Sequence, residues 1–189
     1  MKECPVELYQ NMGEFSELLK LYEEAKPRNV LEIGSMYGGT LWYWIQKATA
    51  ETKIISVDVT VGPWDARHED VLKAKKLWPG WAKEKGVELV AIDGSSQDWN
   101  VMRRVLNEFA GPIDFAFIDG DHNYEAVIQD YKTVRMLMGR RGIIAFHDVD
   151  LVGWPVRQAW RDMKKEIAPE KLREIIEKPG DKGIGVVFL

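Results

Sequence analysis

The sequence predicts an α/β fold: a doubly wound, mostly parallel sheet of seven strands that ends in a C-terminal antiparallel hairpin. Three observations predict it. Short apolar strand runs alternate with helical patterns from about residue 12 to about residue 167. The residues with chemistry to offer (Gly, Asp, His) fall just after the strand runs. The last two strand-like runs, Leu172–Glu177 and Ile184–Leu189, are joined by Lys178-Pro179-Gly180-Asp181-Lys182-Gly183, a turn composition. Repeated strand–helix units give a parallel sheet covered by helices on both faces. Ligands in such sheets bind beyond the carboxyl ends of the strands, where strand order reverses.

Each element has its own warrant. Phe15, Leu18, Leu19 and Tyr22 fall at i, i+3, i+4 and i+7, which predicts an amphipathic helix over about 12–25, stopped by Pro27. Asn29–Ile33 is a strand running into Gly34. Thr40–Ala50 is a helix with Leu41, Ile45 and Ala48 on one face, and Lys53–Asp58 is the second strand. A helix over about 65–77 is expected to break at Pro79-Gly80. Val87–Ile92 is the third strand, about 97–109 a helix, Ile113–Ile118 the fourth strand, and about 123–138 a helix. Gly139 and Gly142 bracket a turn into the fifth strand, Ile143–Phe146, and a helix follows over about 155–167.

At 189 residues, and about 150 per domain, one domain over 1–189 is expected, with 1–27 as its N-terminal helical segment. Apolar residues at 46% and charged residues at 30% fit neither a disordered nor a membrane chain. The longest strictly apolar run is Leu41–Ile45, far short of the roughly 20 residues that span a bilayer. Met1–Glu7 has no apolar core, so no secretory signal is expected. Cys4 is the single cysteine, which excludes an internal disulfide and suits a reducing cytoplasm. Lys and Arg total 26 against 30 Asp and Glu, a net −4, and the basic pairs Lys75-Lys76, Arg103-Arg104 and Arg140-Arg141 are isolated, which disfavours nucleic acid. The oligomeric state is left open, a homo-oligomer included.

The first strand enters Glu32-Ile33-Gly34-Ser35-Met36-Tyr37-Gly38-Gly39-Thr40. Glycines let the backbone turn sharply and pass close to a ligand. A dinucleotide fingerprint on Gly34 needs glycine at 36 and 39 as well, and 36 is Met. The acid before the turn suits a ligand with a cationic end better than a pyrophosphate. Asp58 ends the second strand 19 residues after Gly39, where a carboxylate can accept from both hydroxyls of a ribose. A tight turn plus a helix-capping or surface acid is the plain structural alternative.

These residues resemble the class I S-adenosylmethionine (SAM)-dependent methyltransferases over nearly the whole chain. The resemblance implies a Rossmann-like fold. It puts the methionine part of SAM at Glu32, Gly34, Ser35 and Gly38, the ribose at Asp58, and the adenine edge at Gly94, Ser95 and Ser96, with Asp93 as the rival of Ser95. The resemblance also sets Asp119, after the fourth strand, beside the cofactor.

Two of the three histidines lie in Phe117-Ile118-Asp119-Gly120-Asp121-His122-Asn123-Tyr124-Glu125 and Phe146-His147-Asp148-Val149-Asp150. Neighbouring strand ends lie about 5 Å apart, so Asp119, His147 and Asp148 can converge. Two carboxylates and one imidazole suit Mg²⁺ or Mn²⁺. The alternative is that Asp121 and Asp148 cap helices and His147 is a packed histidine. The segment 118–125, with Gly153-Trp154-Pro155-Val156, is similar to the small-molecule O-methyltransferase branch that includes macrolide-sugar O-methyltransferases and proteins labelled cephalosporin hydroxylases. That likeness implies metal ligation by Asp119, His147 and Asp148, although His147 stands where the branch has a carboxylate or amide. It also implies catalysis by His122 and Asp119. A His122 near the ordinary pKa of about 6.5 suits a base.

The resulting expectation is SAM-dependent methylation of a small-molecule hydroxyl, with a divalent ion assisting. An RNA or protein methyltransferase, or a non-catalytic SAM- or nucleotide-binding module, are the rivals. Trp64 and Trp154 sit in Gly/Pro turns on the ligand side, and at least one is expected to wall the acceptor space. Trp42 and Trp99, on helices, are expected in the core.

Overall fold

A computed structural model describes residues 3–60 and 68–189. Trp64, and with it the expectation for that turn, lies outside the described residues. In chain order the elements are α1 (Met12–Ala25), β1 (Asn29–Ile33), α2 (Gly39–Lys47), β2 (Lys53–Asp58), α3 (His68–Lys75), α4 (Trp78–Lys85), β3 (Glu88–Asp93), α5 (Trp99–Glu108), β4 (Ile113–Ile118), α6 (Tyr124–Leu137), β5 (Met138–Phe146), α7 (Pro155–Met163), β6 (Leu172–Ile175) and β7 (Ile184–Phe188). The sheet order is β3-β2-β1-β4-β5-β7-β6. All pairs are parallel except those of β7, which runs antiparallel to both β5 and β6. The seven-stranded, mostly parallel sheet with a closing hairpin is the fold the sequence predicts. Strand order reverses between β1 and β4, so the loops after these two strands open on the switch point.

Alternation along the strands builds two cores. Val30, Phe115 and Phe117 face α1, α2 and α4, while Leu31, Ile33, Ala116 and Ile118 face α5, α6 and α7. The first core is aromatic: the Trp44 ring centroid lies 5.1 Å from Phe15, 5.0 Å from Tyr22 and 5.2 Å from Phe115. Among the described residues no helix is long and apolar enough to cross a membrane.

Four expectations are corrected. Pro79-Gly80 starts a helix instead of ending one: Pro sits in the first turn of α4, where its missing N–H costs nothing, and Gly86 at φ 71° ends it. Gly139 and Gly142 lie inside β5, not in a turn before it; the register against β4 shifts between Ile113 and Phe115, so the extra residues are taken up as a bulge. The helix at Pro155 stops at Met163, short of 167. Trp99 is 58% exposed, because it is the first residue after the Asp98 cap and the buried face of α5 begins at Met102. Trp42 is buried as expected.

The two ends of the described chain are tied together. Glu14 in α1 is buried and accepts the Glu177 amide at 2.9 Å and the Gly183 amide at 3.0 Å. Lys182 Nζ donates to the Tyr9 carbonyl, and Tyr9 stacks on Tyr37 of the glycine loop. Residues 7 and 8 lie so close to Gly39 that a Cβ there would stand 2.6 Å from the Glu7 carbonyl oxygen. The segment before α1 thus crosses the glycine loop on its way to the switch point.

Candidate active site

The glycine loop leaves β1 at Gly34 (φ 86°), whose N–H donates to the Val57 carbonyl at 2.9 Å. A Cβ at 34 would stand 2.0 Å from the Asp119 carbonyl oxygen, so only glycine lets the two loops of the switch point touch. Met36 also takes a left-handed conformation (φ 47°), the cost of lacking a glycine there. Gly38 (φ 86°) precedes α2, and a Cβ on it would meet Trp78 Nε1 at 2.4 Å.

Two acids brace this loop from below. Glu32 is fully buried, with Trp44 Nε1 donating to Oε1 at 2.8 Å and Ser35 Oγ donating to Oε2. Burial pushes its carboxyl up to about 7, against the hydrogen bonds from Ser35, Thr40 and Trp44, and the nearby Asp119 adds to the rise. Both oxygens of Glu32 are therefore occupied within the chain, and the acid holds the loop from inside. Asp58 Oδ2 accepts the Ser35 and Met36 amides at 2.7 and 2.8 Å, and Oδ1 lies 3.1 Å from Lys75 Nζ. A carboxylate offers about four lone-pair sites, so one remains beside the exchangeable lysine.

After β3, the Gly94 amide donates to the Asp58 carbonyl at 3.1 Å, which sets this turn beside Asp58. Ser95 is exposed and its Oγ accepts the Gln97 amide; Ser96 is buried. Asp93 is engaged by Thr60, whose amide reaches it at 2.8 Å.

The second cluster lies after β4 and β5. The Asp119 amide donates to the Ile33 carbonyl at 2.8 Å, which fixes its height above the sheet. Asp119 Oδ1 stands 3.1 Å from His147 Nδ1 and 3.6 Å from His122 Nε2. Asp148 Oδ2 stands 3.3 Å from His122 Nε2, and Oδ1 lies 3.3 Å from His147 Nδ1 but receives no hydrogen bond. Buried His147 Nε2 has no partner either. Asp148 sits at φ 58°, a strained conformation for a side chain other than glycine.

Asp119, His122 and Asp148 bring one ligand atom each within 4.8 Å of one another. In this grouping His122 takes the place the sequence gives to His147, which touches both carboxylates from the buried side through Nδ1.

Charge follows from this packing. Burial works against a charged His122, but Asp119 and Asp148 outweigh it and push the ring up to about 9. His147 is raised in the same way, mainly by Asp119 against its burial. Asp119 is held well below the usual carboxylate range, because the two imidazoles outweigh its own burial. The expectation of a His122 near 6.5 is thus overturned: between two carboxylates the ring is a cation and a donor at neutral pH.

His122 also packs edge-on against Trp154, with ring centroids 4.8 Å apart. The two rings line a cleft of about 250 Å³ with Asp121, Asn123, Gly153 and Pro155. Trp154 forms one wall of this cleft.

Sequence reasoning missed Gln10. Its Nε2 donates to Asp119 Oδ2 at 2.8 Å, and its buried Oε1 has no partner. It sits in a stretch with neither helix nor strand pattern, where only the fold reveals its neighbour.

Residues 31–149 match the family described as "Methyltransferase domain". A rhamnosyl O-methyltransferase of Mycobacterium bovis is 27% identical over 152 residues, covering 77% of this chain and 54% of that protein; the protein of the same description in Mycobacterium tuberculosis matches equally. The chain spans about half the length of these relatives. Among solved structures, an O-methyltransferase from Bacillus cereus in complex with SAH superposes with a TM-score of 0.68 at 18% identity, covering 98% of this chain and 84% of that one. A TDP-rhamnose 3′-O-methyltransferase of calicheamicin biosynthesis gives a TM-score of 0.68 at 17% identity, covering 93% and 78%. At these identities the superpositions speak for the fold.

Proposed function

We propose a reaction for a chain that belongs to the methyltransferase domain family: transfer of the methyl of SAM to a hydroxyl of a small molecule held in the cleft beside Trp154. The observation that carries it is the meeting, at one switch point, of a glycine loop braced by Asp58 with an Asp/His cluster that opens on an aromatic-walled cleft. When bound, SAM supplies an electrophilic methyl on a sulfonium. The chain's part is to align the partners, which can contribute roughly 7–11 kcal/mol.

In this reading Gly34, Ser35 and Gly38 give the methionine part its room, and Glu32 holds that loop in shape from behind. Asp58 turns its remaining acceptor capacity toward the ribose. Gly94, Ser95 and Ser96 edge the adenine, and Asp119 faces the reacting end.

The carboxylates of Asp119 and Asp148 fit a hard divalent cation without calling on His122, and the unpartnered Asp148 Oδ1 is the kind of buried acceptor such an ion satisfies. Mg²⁺ or Mn²⁺, when bound there, would polarise an acceptor oxygen and offset the two carboxylates. With the two carboxylates so engaged and His122 left out of the ligand set, its ring would lose what raises it to about 9 and would take the hydroxyl proton at Nε2. His147 keeps Asp119 oriented from the buried side. A deoxyhexose is the first acceptor to try, since the mycobacterial relatives carry the name rhamnosyl O-methyltransferase.

The test combines calorimetry with S-adenosylhomocysteine (SAH) and labelled-methyl transfer from SAM to a panel of rhamnosides and phenols. SAH binding that survives EDTA, with methyl transfer that EDTA abolishes and Mg²⁺ restores, is expected. Binding of NAD in place of SAH would overturn the cofactor. Full transfer in EDTA would overturn the metal. Labelling of RNA or protein instead of the panel would overturn the acceptor.

A further inference from the structure

Strands β2 and β3 end side by side, with Asp58 opposite Asp93 in the register. Lys75, the last residue of α3, places its ammonium 3.1 Å from Asp58 Oδ1 and donates to Thr60 Oγ1 at 2.9 Å. Thr60 in turn donates to Asp93 Oδ1 through its hydroxyl, and through its amide at 2.8 Å. The ammonium also stands 5.6 Å from the centroid of the Trp78 ring. Helix α3 is seated on the glycine loop, because Val71 and Ala74 pack with Tyr37 and Met36. The Asp58 and Lys75 side chains are only 10% and 17% exposed, so the pair is largely out of water. Asp58 Oδ2 takes the Ser35 and Met36 amides, which fills it. Oδ1 has room for two donors, and Lys75 holds one of the places. A ribose brings two neighbouring hydroxyls. At Asp58 they meet one open place and one that the lysine covers.

We infer that Lys75 is a latch on this acid: the two ribose hydroxyls displace its ammonium from Asp58 Oδ1, and the ammonium turns about Thr60 Oγ1 toward Asp93. The inference rests on the SAM reading, in which Asp58 meets the ribose, and goes beyond it, because Lys75 opposes binding where a ribose ligand would assist it. Leaving a largely buried carboxylate and ammonium apart is costly, and the move avoids this by exchanging one pairing for another. Asp58 gains the hydroxyls, and Lys75 gains the acid that Thr60 already touches. While the lysine is seated, Asp58 is closed to the second hydroxyl, so the apparent affinity falls by the fraction of molecules with the latch open. The ammonium returns to Asp58 as the nucleoside leaves, so the latch loosens the product SAH as well as SAM. Only a diol opens it. A nucleoside without the 2′ and 3′ hydroxyls leaves Lys75 where it is.

The experiment measures SAH and its 2′,3′-dideoxy analogue by calorimetry on the wild type, Lys75→Met and Lys75→Gln. Wild type is expected to prefer SAH. Lys75→Met keeps an unbranched stem beside Trp78 and removes the charge. It should bind SAH about three- to tenfold more tightly than wild type, with the dideoxy analogue within about twofold of its wild-type affinity, so the preference widens. Lys75→Gln still bonds Asp58 and Thr60 but carries no charge. It is expected between the two, and it decides the matter if Lys75→Met fails to fold. Weaker SAH binding with the analogue unchanged would make Lys75 a ribose ligand and overturns the latch. Equal changes in both nucleosides, or none in either, would leave it a structural lysine and overturn the latch as well. A wild type that binds both nucleosides alike removes Asp58 from the ribose site, and the latch with it, while SAM binding stands. A wild type that binds neither overturns the SAM reading itself.

Discussion

Two pairs of acids stand side by side at the carboxyl edge of the sheet, and the fold treats them in opposite ways. Glu32 and Asp58, below the glycine loop, are surrounded by donors from their own chain: an indole, a hydroxyl, two amides and a lysine. Asp119 and Asp148, after β4 and β5, share two imidazoles, and the cluster still leaves Asp148 Oδ1 and His147 Nε2 without a hydrogen bond. Buried polar atoms are nearly always paired, so Glu32 describes a finished scaffold, Asp58 a brace with one acceptor site left, and the second pair a site that a ligand completes. The difference teaches that acids of equal prominence in the sequence divide, once folded, by how much of their bonding capacity the chain itself takes up.

The largest effect should come from breaking the unfinished pair. Asp119→Asn removes the charge shared by His122, His147 and Gln10, and methyl transfer should fall about 10²–10⁴-fold, with SAH affinity changed far less. Steady-state kinetics beside calorimetry separates the two; an equal loss in both would make Asp119 a cofactor residue before anything else.

Next comes the finished pair, read through stability. The folded pKa of Glu32, about 7, lies above the ordinary carboxylate value of 4.5. The folded state therefore binds the proton more tightly, and the stability this provides is complete below about pH 4.5 and is lost as pH rises toward 7. The loss is on the order of 2–4 kcal/mol. Denaturant melts across that window should slope downward with pH for the wild type and more weakly for Glu32→Gln. Parallel slopes would mean that Glu32 ionises without penalty.

Asp58→Ala should weaken SAH binding by about 1–3 kcal/mol, because the glycine loop loses the acceptor for two of its amides and the ribose loses its partner. Unchanged affinity would confine Asp58 to a structural task. The smallest effect sharpens the boundary of the second region. Trp154→Ala should raise the acceptor KM several-fold and leave SAH affinity within about twofold, since the indole touches His122 and the cleft.

The strands that carry both regions were legible in the sequence because each is a short apolar run with a turn residue directly after it. Asn29–Ile33, Lys53–Asp58 and Ile113–Ile118 have the same bounds in the fold. Their terminal residues were legible for the same reason, since they follow from where a strand stops. What escaped depends on partners far away in sequence. Pro79-Gly80 looks like a break, and α3 does end at Lys75, yet the proline fits the first turn of a new helix, α4. His122 looks like an ordinary base until Asp119 and Asp148 flank it. Gln10 carries no local pattern; its meaning lies in Asp119, 109 positions away.

The clasp at Glu14 has a consequence for how the molecule assembles. Its two amide partners lie 163 and 169 positions along the chain, and the bond from Lys182 to Tyr9 spans 173. Contacts between segments so distant wait until the sheet between them has formed, because closing so large a loop brings little reward beforehand. The segment that carries Gln10 to Asp119 is therefore expected to dock last. Hydrogen exchange should find the Glu177 and Gly183 amides opening well before those of β1 and β4, and the active site would then be the final part of the protein to be put together.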